Sequence, residues 1–249
     1  MSAIKTLTTL IFDLDGTLCR YQSNIEEGLL DTFELENIED LPLTLEDYKE
    51  GFDIEFEKAI GGEVTRPEME FRARIFWNKL KDQGYEEEEI LSLGRRFTRI
   101  RESSLSLYED VPEVFSKLSE KFKLGLLTNG PSSLQRSKID VLEIEDWFDE
   151  IIVSGEHYLA KPDPRIFYIA MNQLNCTPEE SIYIGNSLKY DVRGSNNAGI
   201  PVIWKKNGQE KEIEDETIKP NMVIDELKEL FSSERTTTIS EEEKRSIKS

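Results

Sequence analysis

The chain has 249 residues, enough for an α/β core and one smaller unit without help from disulfides or structural metals. It carries 31 basic and 51 acidic residues, for a net charge of −20, which excludes extended contact with a nucleic-acid polymer. Two cysteines with no CxxC pair and a single histidine, His157, exclude a disulfide scaffold, a cysteine zinc site and any centre needing two histidines.

The first element is a strand. Leu7-Thr-Thr-Leu-Ile-Phe12 is rich in β-branched and apolar residues and closes on Asp13-Leu-Asp15-Gly16-Thr17, the pattern of a buried parallel strand ended by a turn. Residues 20–105 then read as helices only. Ile25, Leu29 and Phe33 start one. Tyr48, Phe52, Phe56 and Ile60 form a second stripe, Met69, Ala73, Phe76, Trp77 and Leu80 a third, and Ile90, Leu93, Phe97 and Ile100 a fourth, each at the helical period. Four helices predict a small bundle inserted after the first strand.

From about residue 110 the pattern alternates. Helices over 111–121, 131–142, 164–174 and 190–198 precede strands at 122–128, 150–154, 181–184 and 200–204, and a strand near 221–224 leads to a helix at 225–231. Asp163-Pro164 and Thr177-Pro-Glu-Glu180 carry helix-start signals. The expected fold is α/β: a Rossmann-like, doubly wound parallel sheet over 1–19 and 106–231, with a four-helix insertion over 20–105. Residues 232–249 read as a mobile polar tail. No apolar run reaches the length of a membrane span, and no signal pattern opens the chain, so a soluble, cytoplasmic protein is expected.

In such sheets the chemistry sits at the carboxyl ends of the strands. This sequence puts Asp13 and Asp15 there, then Thr128-Asn129-Gly130, then Lys161-Pro162, then Gly185-Asn186-Ser187 followed by Asp191. Carboxylates and carbonyls make a hard oxygen pocket suited to Mg²⁺. A lysine and a small hydroxyl suit phosphate oxygens. A carboxylate nucleophile with a second carboxylate as acid and base suits phosphoryl transfer. Neither a GxxxxGK[ST] nor a GxGxxG motif is present.

Asp13-Leu-Asp15-Gly16-Thr17-Leu18, Thr128-Asn129, Lys161-Pro162 and Gly185-Asn186-Ser187-Leu-Lys-Tyr-Asp191 resemble, in order, the four motifs of the haloacid dehalogenase-like (HAD) hydrolases. The insertion resembles the α-helical cap of that superfamily's first cap class. Leu127 to Gly130 and Gly194 to Gly199 resemble the branch of pyrimidine 5′-nucleotidases and N-acylneuraminate-9-phosphatases. The resemblance implies Asp13 as nucleophile and metal ligand, and Asp15 as general acid/base with a metal-binding carbonyl. It implies Thr128 and the Asn129 backbone at the phosphoryl oxygens, Lys161 bridging Asp13 and phosphate, and Asp191 and Asn186 at Mg²⁺. The second Asp of Asp-x-Asp, which the dehalogenases lack, implies a phosphatase for a small soluble phosphorylated metabolite.

One position departs from the motif. Asn186 stands where the family usually has Asp, which removes one charge from the metal site. A weakly active or non-catalytic protein that binds a phosphate ligand is therefore the alternative, and a mutase or dehalogenase using the same nucleophile is a third reading. In the insertion, Arg72 and Arg74 lie on one helix, and Arg95, Arg96, Arg99 and Arg101 on another. Among them Arg72, Arg74, Arg95, Arg96 and Arg99 are candidates to grip an anionic leaving group. The plainer reading is that they pair with neighbouring glutamates.

Overall fold

The computed structural model describes residues 6–64, 66, 68–208, 215 and 217–231. The tail expected at 232–249 lies outside them. The chain divides into two compact units. One holds residues up to Arg20, Leu107–Asn129 and Glu143 onward; the other holds Tyr21–Ser106 and Gly130–Leu142.

In chain order the elements are β1 (Thr9–Phe12), β2 (Cys19–Tyr21), α1 (Ile25–Phe33), α2 (Leu45–Gly61), α3 (Phe71–Leu80), α4 (Glu87–Ser103), β3 (Leu105–Leu107), α5 (Val111–Leu118), β4 (Lys123–Thr128), α6 (Ser132–Val141), β5 (Glu150–Val153), α7 (Pro164–Gln173), β6 (Ser181–Gly185), α8 (Arg193–Ala198), β7 (Val202–Lys205) and β8 (Met222–Ile224). The sheet unit is built on six parallel strands in the order β5-β4-β1-β6-β7-β8. β1 is central, with Phe12 opposite Leu126 on one side and Ile184 on the other. The chain winds outward from β1 through β4 to β5, then returns to β6 and winds the other way. The order therefore reverses beside β1, where an open α/β sheet leaves a crevice at its carboxyl edge. All four residues of β1 are buried, which is why its sequence shows no polar alternation. Ile11, Leu127, Ile152, Tyr183 and Val202 form an apolar core with Ile166, Phe167 and Met171 of α7. The two short strands β2 and β3 form a separate two-stranded sheet.

The helical unit has its starts well marked. Asn24 with Glu27, and Thr44 with Asp47, close capping boxes at α1 and α2. Its core gathers Leu29, Tyr48, Phe71, Phe76, Ile90 and Phe97. The four inserted helices form where their periodicity predicts, but the buried face of α2 is rotated. It presents Tyr48, Gly51, Glu55 and Ala59, while Phe52 and Phe56 are only half-buried. The cause is an ion pair: Arg74 Nε donates to Glu55 Oε2 at 2.7 Å, and Asn78 donates to Glu55 Oε1 at 2.9 Å, so the carboxylate is drawn inward and satisfied. Three further details differ from the sequence reading. α6, expected with the sheet core, groups with the helical unit. The segment expected as one helix over 190–198 begins as a π-turn, Leu188–Val192, before α8. The final helix is a short 3₁₀ turn, Leu227–Phe231. No described helix is long and apolar enough to cross a membrane.

α4 packs against α3 through Gly94. A Cβ there would stand 2.6 Å from the Ala73 Cα and 2.8 Å from its Cβ, and backbone cannot swing aside. Gly94→Ala should destabilise the protein by about 1–3 kcal/mol through overpacking. Alanine's better helix propensity, worth about 1 kcal/mol, works the other way. Urea unfolding monitored by circular dichroism reads the difference; a stabilised variant would refute this packing.

Candidate active site

The site lies at the carboxyl edge of the sheet unit and begins with Asp13. The Asp13 amide continues the β1–β6 ladder by donating to the Ile184 carbonyl at 2.9 Å, so the residue is fixed before its side chain is considered. Asp13 is 6% exposed. Thr17, one turn later, donates its hydroxyl to Asp13 Oδ2 at 2.9 Å. Lys161 takes the other oxygen. Its ammonium lies 2.7 Å from Asp13 Oδ1, 2.7 Å from Asp191 Oδ1, 2.8 Å from the Tyr183 hydroxyl and 3.1 Å from the Leu127 carbonyl. Asp191 is held in turn, its Oδ2 accepting from the Ser187 amide at 2.8 Å and its Oδ1 from Tyr183 at 3.0 Å.

Of the expected residues, the structure brings Asp13, Lys161 and Asp191 together in one buried cluster. Thr128 ends β4 in the neighbouring position and is fully buried. Asn129 makes a two-bond clamp on Lys161: its amide nitrogen donates to the Lys161 carbonyl at 3.0 Å, and its amide oxygen accepts from the Lys161 backbone at 2.9 Å. The clamp fixes the backbone from which the ammonium reaches Asp13. Asp15 and Gly16 form the turn after β1. Gly16 has φ +78°, a conformation that favours glycine, and the Asn186 side chain presses against its Cα, leaving no room for a Cβ.

Three contributors were not picked out by sequence reasoning. Tyr183 lies between Ile182 and Ile184 in a buried strand, and its hydroxyl two positions before Gly185 was the only signal. Trp204 donates from Nε1 to the Asn186 carbonyl at 3.0 Å, and Asn207 donates from Nδ2 to the Gly16 carbonyl at 2.6 Å. Both come from the end of β7, and no local pattern marks them. Among the arginines, Arg74 pairs with Glu55 and Arg96 with Glu34 at 2.7 Å, while Arg95 and Arg99 are exposed. Arg72 is buried and has no such partner among the described residues. Cys19 is a buried small side chain, and His157 is a half-buried loop residue.

The electrostatics show a shortage of positive charge. Burial pushes the Asp13 carboxyl up; Lys161 opposes the shift and the Asp191 and Asp15 carboxylates add to it, leaving the pKa at about 7. Burial alone would pull Lys161 down, but the Asp13 and Asp191 carboxylates outweigh it and hold the ammonium above its ordinary range. One lysine thus serves two buried carboxylates. No cluster of three acids, histidines or cysteines poised for a metal occurs among the described residues. A hard cation that keeps water and phosphate among its ligands does not need one. Asp13, Asp191, the Asp15 carbonyl and the Asn186 amide are oxygen donors of the kind such a cation takes. For the metal-free protein the sign follows from linkage. Folded Asp13 keeps its proton up to about pH 7, against an ordinary 3.8, so its contribution to stability falls as pH rises from about 4 to about 7. In EDTA, the melting temperature of the wild type should fall relative to Asp13→Asn across that window; parallel pH profiles would contradict the assignment.

Comparison with known proteins gives the family. A family model described as haloacid dehalogenase-like hydrolase matches residues 7–199. Phosphoserine phosphatase of Thermus thermophilus is 33% identical over 168 residues, covering 66% of this chain and 65% of that protein. Human N-acylneuraminate-9-phosphatase is 38% identical over 106 residues, covering 42% and 43%. The chain therefore spans less than two thirds of the length of either relative. The crystal structure of the HAD-hydrolase YfnB from Bacillus subtilis, bound to magnesium, superposes with a TM-score of 0.65 at 27% identity, covering 91% of this chain and 98% of that one. With the motifs in order, the parallel sheet that carries them and a family match over most of its length, the chain belongs to the haloacid dehalogenase-like hydrolases.

Proposed function

We propose that this protein is a Mg²⁺-dependent phosphatase of small phosphomonoesters that works through an aspartyl-phosphate on Asp13. The observation that carries the reading is the buried carboxylate of Asp13, both oxygens held, with a second aspartate two residues on at the sheet's switch point. The phosphatase names of the two relatives support it. Bound magnesium would lessen repulsion between Asp13 and an anionic substrate, with Asp13, Asp191, Asn186 and the Asp15 carbonyl as its holders.

In the first half-reaction an Asp13 oxygen attacks phosphorus and the ester P–O bond breaks. Asp15 gives its proton to the leaving oxygen, which departs as an alcohol. In the second half-reaction water attacks phosphorus and gives its proton to Asp15. The bond between Asp13 and phosphorus breaks, and phosphate and the carboxylate are restored. Lys161 and Thr17 hold Asp13 in its attacking orientation, and Tyr183 and Asn129 hold Lys161. Thr128 and the Asn129 backbone would receive the phosphoryl oxygens. The helical insertion is read as the specificity-setting unit, and the cell compartment as the cytoplasm, in keeping with the two free cysteines.

Phosphate release from a panel containing O-phosphoserine, N-acylneuraminate 9-phosphate, nucleotides and p-nitrophenyl phosphate tests the proposal. Wild-type turnover should need Mg²⁺, and Asp13→Asn should lower it by at least about 1,000-fold, as expected when a nucleophile is removed. Turnover by Asp13→Asn at the wild-type level would refute the nucleophile.

Asn186 favours a second reading, a protein that binds a phosphate ligand without turning it over. Asn186→Asp separates the two. On the phosphatase reading the wild type is active, and the added charge lowers the Mg²⁺ concentration for half-maximal rate several-fold. Activity that appears only in Asn186→Asp would favour the binding reading.

A further inference from the structure

The sheet unit buries a second lysine, outside the cluster around Asp13. Lys205, the last residue of β7, is 1% exposed and makes no ion pair among the described residues. Its ammonium lies 3.6 Å from the centre of the Tyr108 ring and donates to Asn207 Oδ1. Burial pulls that ammonium down to about 8; Asp110, Glu226 and Asp225 oppose the shift and Arg20 adds to it. A charge held out of water without a carboxylate beside it lowers stability, and an apolar chain of the same length would not. The partner of the ammonium shows what the charge does.

Asn207 carries the contact on to the Asp-x-Asp turn. Its Nδ2 donates to the Gly16 carbonyl at 2.6 Å. An ammonium can only donate and a carbonyl can only accept, so a single orientation of the amide satisfies both neighbours. Lys205 therefore sets which end of Asn207 faces Gly16. Inside the turn the bonds are local: the Gly16 amide donates to the Cys19 carbonyl, and the Thr17, Leu18 and Cys19 amides to the Leu14 carbonyl. Gly16 also lines a cavity of about 630 Å³ with Lys205, Tyr108 and Asn207, so on that side a hydrogen bond rather than packing holds the turn. The tied carbonyl lies between Asp15 and Thr17, the residue whose hydroxyl holds Asp13.

We propose that Lys205 is a positioning residue: through Asn207 it fixes the Gly16 carbonyl, and with it the Asp15 carboxyl that protonates the leaving oxygen. The role of that proton rests on the phosphatase reading, and the hold on the turn does not.

Amide hydrogen exchange and ester kinetics on the full chain test the proposal. Asn207 has φ +56°, which glycine adopts freely, so Asn207→Gly removes the amide without straining the loop. It should speed exchange of the Gly16 to Cys19 amides at least about fivefold and leave the β6 amides protected. Lys205→Met should do the same to a smaller extent. The double variant should exchange no faster than Asn207→Gly, because Lys205 acts through Asn207. Asn207→Asp keeps an acceptor for Lys205 and loses the donor for Gly16. It should hold the melting temperature and still show the faster exchange, a split that a merely structural role would not give. For the alkyl phosphate that the wild type hydrolyses best, kcat/KM of Asn207→Gly should fall at least about tenfold more than for p-nitrophenyl phosphate, whose leaving group departs without a proton. Unaltered exchange in the folded Asn207 variants, a double variant faster than Asn207→Gly, or an equal fall for both esters would overturn the proposal. A wild type that releases no phosphate removes the phosphatase reading, and the exchange rates then decide whether Lys205 holds the turn.

Discussion

The buried ammonium of Lys161 sits between two carboxylates that come from distant parts of the chain, Asp13 after β1 and Asp191 in the turn after β6. Neither acid could be buried there as an anion without it, because the desolvation of a carboxylate exceeds what one hydrogen bond returns. The arrangement sets demands on everything around it. β1 must be central so that Asp13 emerges at the switch point, β4 must bring Asn129 to clamp the Lys161 backbone, and β6 must bring Tyr183 beneath the ammonium.

The balance is incomplete by design of the residues themselves. Burial pushes the Asp13 carboxyl up to about 7, Lys161 opposing the shift and the Asp191 and Asp15 carboxylates adding to it. On the phosphatase reading proposed above, a bound cation would let an anionic substrate approach the Asp13 carboxylate. Asn186 shifts that balance by one charge. Its carbonyl accepts from Trp204 Nε1, which fixes the backbone at that position.

The helical unit follows a different logic. Its sequence shows four apolar stripes, yet its interior also holds arginines and a glutamate. Where the charges meet, as Arg74 meets Glu55, they rotate a helix face away from the pattern of its apolar residues. Elsewhere a buried arginine is held by neutral groups, as Arg72 is by the Tyr21 hydroxyl and the Thr98 carbonyl. Both outcomes arise from the same clustering of arginine on α3 and α4.

Taken alone, the sequence determined what depends on short-range patterns. These are the β1 strand and its Asp-x-Asp turn, the alternation of helix and strand after residue 110, the four inserted helices and the four motifs in order. Each is legible because neighbouring residues carry it, through periodicity, caps and turn chemistry. Only the tertiary structure decided the rest. Tyr183 looks like core until the strand order places its hydroxyl on Lys161. Asn207 and Trp204 acquire roles only because β7 lies beside β6. Arg72 and Arg74 are two residues apart on one helix, and their different fates were set by which helix supplied a carboxylate. Pairing across elements is a property of distance in space, and no local pattern encodes it.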